Sequence, residues 1–197
     1  MDPEPFVGEP GDAADIPGAA AAPDEVDDIV AAWRRERADL DIAPLEVMSR
    51  LDRLAGVLGE RRAAIFAQHD LRRHEFDVLA ALRRAGEPFE MRAGALALAT
   101  YVTSGTMTSR LDGLTERGLV TRAADQDDGR LVRVALTPDG RERVDAAFEA
   151  LLGAERELLA PLALGSLGPL ADSLRALLAQ ASATAPQPGA GPGAPRR

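Results

Sequence analysis

The sequence predicts a mainly α-helical fold that carries a small β-wing, and two patterns in the sequence support this. Apolar residues recur at three- and four-residue steps through most of the chain, as they do in amphipathic helices. Two β-prone runs, residues 119–123 and 131–137, flank the turn-rich hexapeptide DQDDGR and predict one antiparallel hairpin. Aromatic residues make up only 4% of the 197 residues, so Leu, Ala and Val must fill the core.

Helices are expected on both sides of this hairpin. They are predicted over residues 24–37, 44–68, 73–85, 92–99, 103–117, 139–159 and 166–180. Pro44 is placed to begin the second helix, and Gly86 is placed to end the third. The first helix has acidic residues in its first turn and arginines in its last, as the helix dipole favours.

The two ends of the chain differ in composition from the rest. Residues 1–23 are acidic and rich in Pro, Gly and Ala, and residues 181–197 are a Pro/Gly/Ala tail. Neither segment has enough apolar surface to offset the entropy of ordering it, so we predict that both are disordered. Residues 24–180 are then one domain with accessory helices.

The formal net charge of -9 is unusual for a protein that contacts phosphates. Nine of the 32 acidic residues fall within residues 1–28, which contain no base, so the remainder of the chain is formally neutral. All 23 basic residues are arginine, which suits bidentate contacts to phosphate and guanine, although a GC-rich genome would give the same bias. Charge therefore does not exclude a nucleic-acid ligand.

Several classes of protein are disfavoured. The chain has no cysteine, and its two histidines, His69 and His74, are spaced too far apart to form a ligand pair on one helical face, so we expect no metal and no cofactor. No nucleophile elbow or phosphate-binding glycine loop is present, and we predict no catalytic residues and no enzyme activity. No apolar run approaches the roughly 20 residues of a membrane span, and no signal-peptide pattern occurs, so a cytoplasmic protein is expected.

The order of helix, short helix, turn, helix and hairpin predicts a winged helix-turn-helix, with a nucleic-acid-binding core over residues 70–138. The second helix of the turn would enter the major groove. Its first turns are crowded with small hydroxyl side chains, which let a helix approach phosphates and base edges closely. The candidate DNA-binding residues there are Thr103, Ser104, Gly105, Thr106, Thr108, Ser109 and Arg110. A simple solvent-exposed polar face is the alternative interpretation.

The stretch VTSGTMTSRLDGLTERGLVTRAADQDDGRLVRVALTPDGRERV resembles the core signature of the MarR (multiple antibiotic resistance regulator) family. The resemblance implies a homodimer joined by its N- and C-terminal helices, with a recognition helix from each subunit in the major groove and Arg130 at the wing tip in the minor groove. The operator would be a double-stranded DNA pseudopalindrome with half-sites about 10 base pairs apart. An ion pair of Arg130 with Asp127 or Asp128 is the structural alternative. The chain departs from the family pattern at Arg92, where a Ser or Thr helix cap is common.

A narrower resemblance concerns a small-molecule effector. WRRERADLD at 33–41 and EFDVL at 75–79 are similar to the urate-responsive branch of the family. That resemblance implies a repressor released by a small anion, urate or a related purine, and the implied ligand-binding residues are Trp33, Asp77, Arg110 and Arg122. Each has a structural alternative: Trp33 as an anchor of the dimer interface, Asp77 in a salt bridge with Arg73 or another arginine, and Arg110 as a phosphate contact alone.

Two further functions stay open. The same fold could sense a different small carboxylate anion, such as a tricarboxylate. A winged helix could also serve as a protein-interaction module, which would not bind DNA in a salt-dependent way.

Overall fold

The structure is a computed structural model of the chain, and it describes residues 22–125, 128–162 and 164–184. The segments predicted to be disordered, residues 1–23 and 181–197, lie outside these ranges except for residues 22–23 and the helical residues 181–184. The elements in chain order are α1 (Glu25–Glu36), α2 (Ala43–Gln68), α3 (Arg73–Arg84), β1 (Glu90–Arg92), α4 (Ala93–Ala99), α5 (Ser104–Glu116), β2 (Val120–Ala124), β3 (Val132–Leu136), α6 (Pro138–Leu159), a 3-10 turn (Leu164–Ser166) and α7 (Leu167–Thr184). The mainly helical fold with a β-wing is thereby confirmed.

The helices begin and end where local chemistry predicts. Asp24 caps α1 by accepting hydrogen bonds from the backbone N–H groups of Val26 and Asp27. Pro44 lies in the first turn of α2, where its missing N–H costs nothing. Gly86 follows α3 with a φ of 78°, a left-handed conformation that glycine adopts without strain.

Helix α3 lies at the centre of the core of the main compact unit, Pro23–Leu158. Its apolar side chains Val78, Leu79 and Leu82 are completely buried. Phe66 at the end of α2 stacks on Phe76 of α3 with ring centroids 4.1 Å apart. The remaining core comes from α4, α5, the sheet and α6, so the helix-turn-helix has a rigid support.

The sheet has three strands in the order β1-β3-β2, all antiparallel. The prediction of a two-stranded hairpin was incomplete, because β1 pairs with β3 through Glu90, Met91 and Arg92. Three residues are too few to show the alternation that identifies a strand, and this strand depends on its long-range pairing partner. The third strand ties the wing to the residue just before α4.

Helix α1 packs on α2 with Val26 and Val30 buried between them. Ion pairs reinforce this contact: the Arg50 guanidinium bonds to the carboxylates of Asp24 at 2.8 Å and Asp27 at 2.7 Å. The acidic first turn of α1 therefore both complements the helix dipole and fixes α1 on α2.

Helix α7 belongs to a second compact unit that begins at Leu159. It extends to Thr184, four residues beyond the predicted end, because Ala181, Ser182 and Ala183 continue the helix. No side chain of α7 is buried, and its leucines form an apolar face, Leu170, Leu174, Leu177 and Leu178. None of the helices in the described ranges combines the length and the apolar character of a membrane-spanning segment.

Candidate nucleic-acid interface

Helix α5 is held by one apolar face and started by a hydroxyl cap. Met107, Leu111 and Leu114 are all at most 2% exposed and pack into the core. Thr103 is the N-cap residue, and its hydroxyl accepts a hydrogen bond from the backbone N–H of Thr106 at 3.3 Å. The helix is therefore fixed in rotation, with its opposite face turned outward.

The outward face carries the predicted hydroxyl residues. Exposed on it and on the preceding cap are Thr103, Ser104, Gly105, Thr106, Thr108 and Ser109. Thr108 donates to the carbonyl of Ser104 at 3.0 Å, and Ser109 to that of Gly105 at 3.4 Å. These bonds orient the hydroxyl oxygens while leaving their lone pairs available as acceptors, which is suited to base amino groups.

Two arginines of the candidate interface have unused guanidinium groups. Arg110 on α5 is half-buried and makes no hydrogen bond or ion pair with any residue in the described part of the chain. Arg130 at the wing tip is exposed, and only its backbone N–H bonds to the Asp128 carboxylate, at 3.0 Å. The alternative ion pair of Arg130 with Asp128 is thus absent, while Asp127 lies outside the described residues. Both guanidiniums can bind an external anion.

The wing is fixed by a buried carboxylate that the sequence analysis did not single out. The Asp125 side chain is wholly inaccessible and accepts hydrogen bonds at 2.8 Å from Nε of Arg92 and Nε of Arg133. Arg133 also pairs with Glu90, and its pKa is raised first by Glu90 and then by Asp125. Arg92 therefore begins α4 without a side-chain cap and uses its guanidinium to join α4 to the wing. DQDDGR reads as an ordinary turn, and no local signal distinguishes its first Asp.

Arg122 connects strand β2 to the candidate recognition helix. Its Nη1 pairs with Asp112 of α5 at 2.8 Å, and its Nη2 donates to the carbonyl of Thr108 at 3.3 Å. Its Nε is buried and has no hydrogen-bond partner among the described residues. Arg122 and Arg110 thus lie on neighbouring elements, and the guanidinium of Arg110 is unpaired among the described residues while both terminal nitrogens of Arg122 are engaged.

The other two implied ligand-binding residues are exposed. Asp77 on α3 makes no ion pair within the described ranges, so the predicted alternative of a bridge to Arg73 is not observed. Helix α3 packs directly on α5, which puts Asp77 on an element adjoining that of Arg110. Trp33 is 49% exposed on α1, and α1 packs on α2. The structure therefore groups the elements of Asp77, Arg110 and Arg122, while Trp33 comes from a helix that packs elsewhere.

A charged network fixes the far end of α5. Arg117, the C-cap residue of α5, pairs with Glu75 and Asp70, both at 2.7 Å. Asp70 also pairs with Arg143 of α6 at 2.7 Å. Glu75 in turn accepts a hydrogen bond from the backbone N–H of Arg72 at 2.8 Å, so it caps α3 while it holds α5. The position of Glu75 three residues after the helix cap was the available sequence signal.

Glu75 is charged although it is only 4% exposed. Burial raises the pKa of its carboxyl, but the hydrogen bonds from Arg72 and Arg117 outweigh burial and leave the pKa lowered. This network borders a cavity of about 470 Å³, lined by Ala67, Asp70, Leu71, Glu75, Gly113 and Arg117. No group of three or more His, Asp or Glu side chains in the described ranges is arranged to hold a metal ion.

Comparison with known proteins agrees with this geometry. The sequence model of the MarR family matches residues 69–131, from the end of α2 to the wing. The HTH-type transcriptional regulator PecS of Dickeya dadantii is 36% identical over 137 residues, which cover 70% of this chain and 82% of PecS. The HTH-type transcriptional repressor YetL of Bacillus subtilis is 29% identical over 108 residues, 55% of this chain and 64% of YetL.

Solved structures show the same fold. A probable transcriptional regulator from Pseudomonas aeruginosa is 31% identical with a TM-score of 0.50, over 64% of this chain and 92% of that protein. AbsC, a MarR family transcriptional regulator from Streptomyces coelicolor, is 18% identical with a TM-score of 0.64, over 74% of this chain and 99% of AbsC. The relatives are regulators of transcription, which confirms that the chain is not an enzyme. The winged helix-turn-helix and the extended identity to PecS establish that this chain belongs to the MarR family of transcriptional regulators.

Proposed function

We propose that the chain is a homodimeric repressor that binds a pseudopalindromic DNA operator and is released by a small anion, urate or a related purine. The observation that carries the DNA-binding part is the two-sided character of α5. Met107, Leu111 and Leu114 fix one face in the core, and the hydroxyl residues of the opposite face are exposed and unobstructed. A major groove about 12 Å wide accepts such a helix. The name of YetL supports a repressor role.

The wing would supply a second contact. Arg130 is exposed at the tip, and its guanidinium has no partner in the described part of the chain. A narrow minor groove concentrates negative potential and attracts arginine. Asp125 pairs with Arg92 and Arg133 where β2 ends, and this supports the wing on the side of the loop that carries Arg130.

Exposed apolar surface supports the dimer. Phe148 and Leu152 of α6 are more than 40% exposed, and Trp33 of α1 is exposed as well. The leucines on the apolar face of α7 are also exposed to solvent. Apolar patches of this kind mark association surfaces. Light scattering coupled to gel filtration should give the mass of a dimer, and Phe148→Glu should shift that mass toward the monomer. A wild-type protein that stays monomeric at micromolar concentration would contradict the dimer.

DNA binding can be tested with a labelled palindrome from the chain's own upstream region. Fluorescence anisotropy should show nanomolar to micromolar affinity that falls linearly with the logarithm of salt concentration. Arg130→Gln should reduce the affinity and the salt slope, whereas the matched control Arg35→Gln, an exposed arginine on α1, should change neither. Salt-independent or absent binding would favour the protein-interaction module instead.

The effector part rests on unused donors beside α5. Urate is a planar monoanion at neutral pH, so the guanidiniums of Arg110 and Arg122 are suited to its charge and oxygens. Arg122 has a buried Nε without a partner, and Arg110 has no partner among the described residues. Asp77 would accept a ring N–H, and Trp33 would offer a flat apolar surface. Capture of Arg110 would displace α5, and a coupling of about 1–3 kcal/mol between ligand and DNA is typical.

Asp77 allows effector and DNA binding to be separated, because it lies on α3 and not on the DNA-facing side of α5. Asp77→Asn should bind the operator as the wild type does. It should require at least about tenfold more urate for release, because the variant loses one charge-assisted hydrogen bond to urate. Citrate, titrated in parallel, tests the alternative of a carboxylate effector. Release of the wild type by citrate and not by urate would contradict the urate proposal, and an equal urate response of both proteins would contradict the role of Asp77 in the site.

A further inference from the structure

Three helices end in the same hydrogen-bonded turn, which places one residue in the left-handed conformation. The left-handed residues of these three turns are Asp70 after α2 (φ 52°), Tyr101 after α4 (φ 54°) and Gly118 after α5 (φ 69°). At α4, the backbone N–H of Tyr101 donates to Leu98 at 3.2 Å and that of Val102 donates to Ala97 at 3.0 Å, the pair of bonds that defines a Schellman turn. The turns after α2 and α5 repeat this pair of bonds.

The residues at this left-handed position differ in the contacts that their side chains make. Gly118 has no side chain and adopts the conformation without steric cost. Asp70 is a residue type that tolerates the conformation, and its carboxylate pairs with Arg117 and Arg143. The fold therefore explains why Gly118 and Asp70 stand at these two positions.

Tyr101 is not explained by the fold. Its side chain is 96% exposed, and it forms no hydrogen bond or ring contact with any residue in the described ranges. A bulky residue in the left-handed conformation lowers stability relative to glycine. The ring therefore lowers stability and makes no compensating contact with the residues that the structure describes.

The position of Tyr101 indicates what it contacts instead. It lies two residues before Thr103, the N-cap of α5, in the turn between the two helices of the helix-turn-helix. The N-terminal end of a recognition helix faces DNA, and tyrosine hydroxyls are among the side-chain donors to phosphate oxygens. Leu98, in the last turn of α4, is 80% exposed on the same connection, which adds apolar surface suited to a deoxyribose.

We infer that Tyr101 is a DNA-backbone contact, with its hydroxyl donating to a phosphate and its ring packed on a deoxyribose at the edge of the groove that α5 enters. This inference rests on the proposed DNA-binding function and adds a residue to it. Such a contact positions the helix and carries no base specificity. Because the hydroxyl is neutral, it adds affinity without adding to the salt dependence.

The test combines operator affinity with thermal stability for Tyr101→Gly. We expect the affinity to fall by about fivefold or more, because the hydrogen bond of the hydroxyl and the packing of the ring on the deoxyribose are both lost. The melting temperature should stay unchanged or rise by about 2 °C, because the left-handed strain is relieved. Affinity and stability thus move independently or in opposite directions, which a structural role for the ring would not produce.

Two further variants make the result specific. Tyr101→Asn suits the left-handed conformation and should lose as much affinity as Tyr101→Gly, and its salt slope should match that of the wild type. Tyr101→Phe keeps the ring and should lose about two- to threefold from the hydroxyl alone. Wild-type affinity in all three variants, or a lower melting temperature in Tyr101→Gly, would overturn the inference. Absence of operator binding by the wild type would instead overturn the proposed function, and this contact with it.

Discussion

Asp125→Asn is the change that most directly tests how the wing is held. The substitution keeps the size of the side chain and removes the charge that bonds to Arg92 and Arg133. Loss of one partner of a buried ion pair costs about 3–5 kcal/mol when the other charge stays buried. Here the two guanidiniums are 47% and 33% exposed and Arg133 keeps Glu90, so we expect a smaller loss, about 2 kcal/mol of unfolding free energy.

Urea denaturation followed by circular dichroism measures this difference. The matched control is Asp172→Asn, which removes an equally charged residue from an ion pair on α7 whose members are both more than 70% exposed, and it should change stability by less than about 0.5 kcal/mol. Asp125→Asn should also accelerate amide exchange in β3, because the wing loses its anchor. Equal stability of the two variants would refute the view that this carboxylate holds the wing.

The remaining predictions concern other parts of the fold. A Cβ on Gly140 would collide with the backbone carbonyl oxygen of Leu119, so Gly140→Ala should lower the free energy of unfolding by about 1–3 kcal/mol or more. Gly153→Ala, in open space on the same helix, should raise it by about 0.5–1 kcal/mol. Urea titration measures both changes, and similar values for the two variants would contradict the packing argument. The Arg50 hydrogen bond lowers the pKa of Asp24, so its contribution to docking α1 is complete above about pH 4 and is lost as pH falls through the lowered pKa. Acid titration of the fluorescence of the single tryptophan, which lies on α1, should therefore show a transition that Arg50→Gln removes.

The helices and the hairpin were predictable because their signals are local. Apolar spacing, Pro44 and Gly86 fixed helix bounds to within about one residue from α1 to α6. The turn residues of DQDDGR likewise identified the wing tip. Strand β1 was missed because three residues form a strand only by pairing with β3, which lies about 40 residues further along the chain.

The sequence predicts which residue types form the candidate DNA-binding surface, but not the buried ion pairs that hold α5 and the wing in place. Hydroxyl residues at the start of α5 and the buried stripe of Leu111 and Leu114 are visible in the sequence. The buried state of Glu75 and Asp125 is not visible in the sequence, because acidic residues are usually exposed and the partners Arg117 of Glu75 and Arg92 of Asp125 are more than 30 residues away. Long-range ion pairs leave no periodic pattern.

Arginine contacts link the wing to both helices of the helix-turn-helix. Arg122 joins β2 to α5 through Asp112 and the carbonyl of Thr108, and Asp125 joins the wing to the start of α4 through Arg92. An anion that engages Arg122 must compete with Asp112, whose carboxylate is 64% exposed and is readily rehydrated. If the anion replaced Asp112 as the partner of Arg122, the link between β2 and α5 would weaken. The proposed DNA contacts of the wing and of α5 would then no longer be held in a fixed relative position. On the function proposed above, an effector at Arg122 would weaken operator binding without disturbing the apolar contacts of Met107, Leu111 and Leu114.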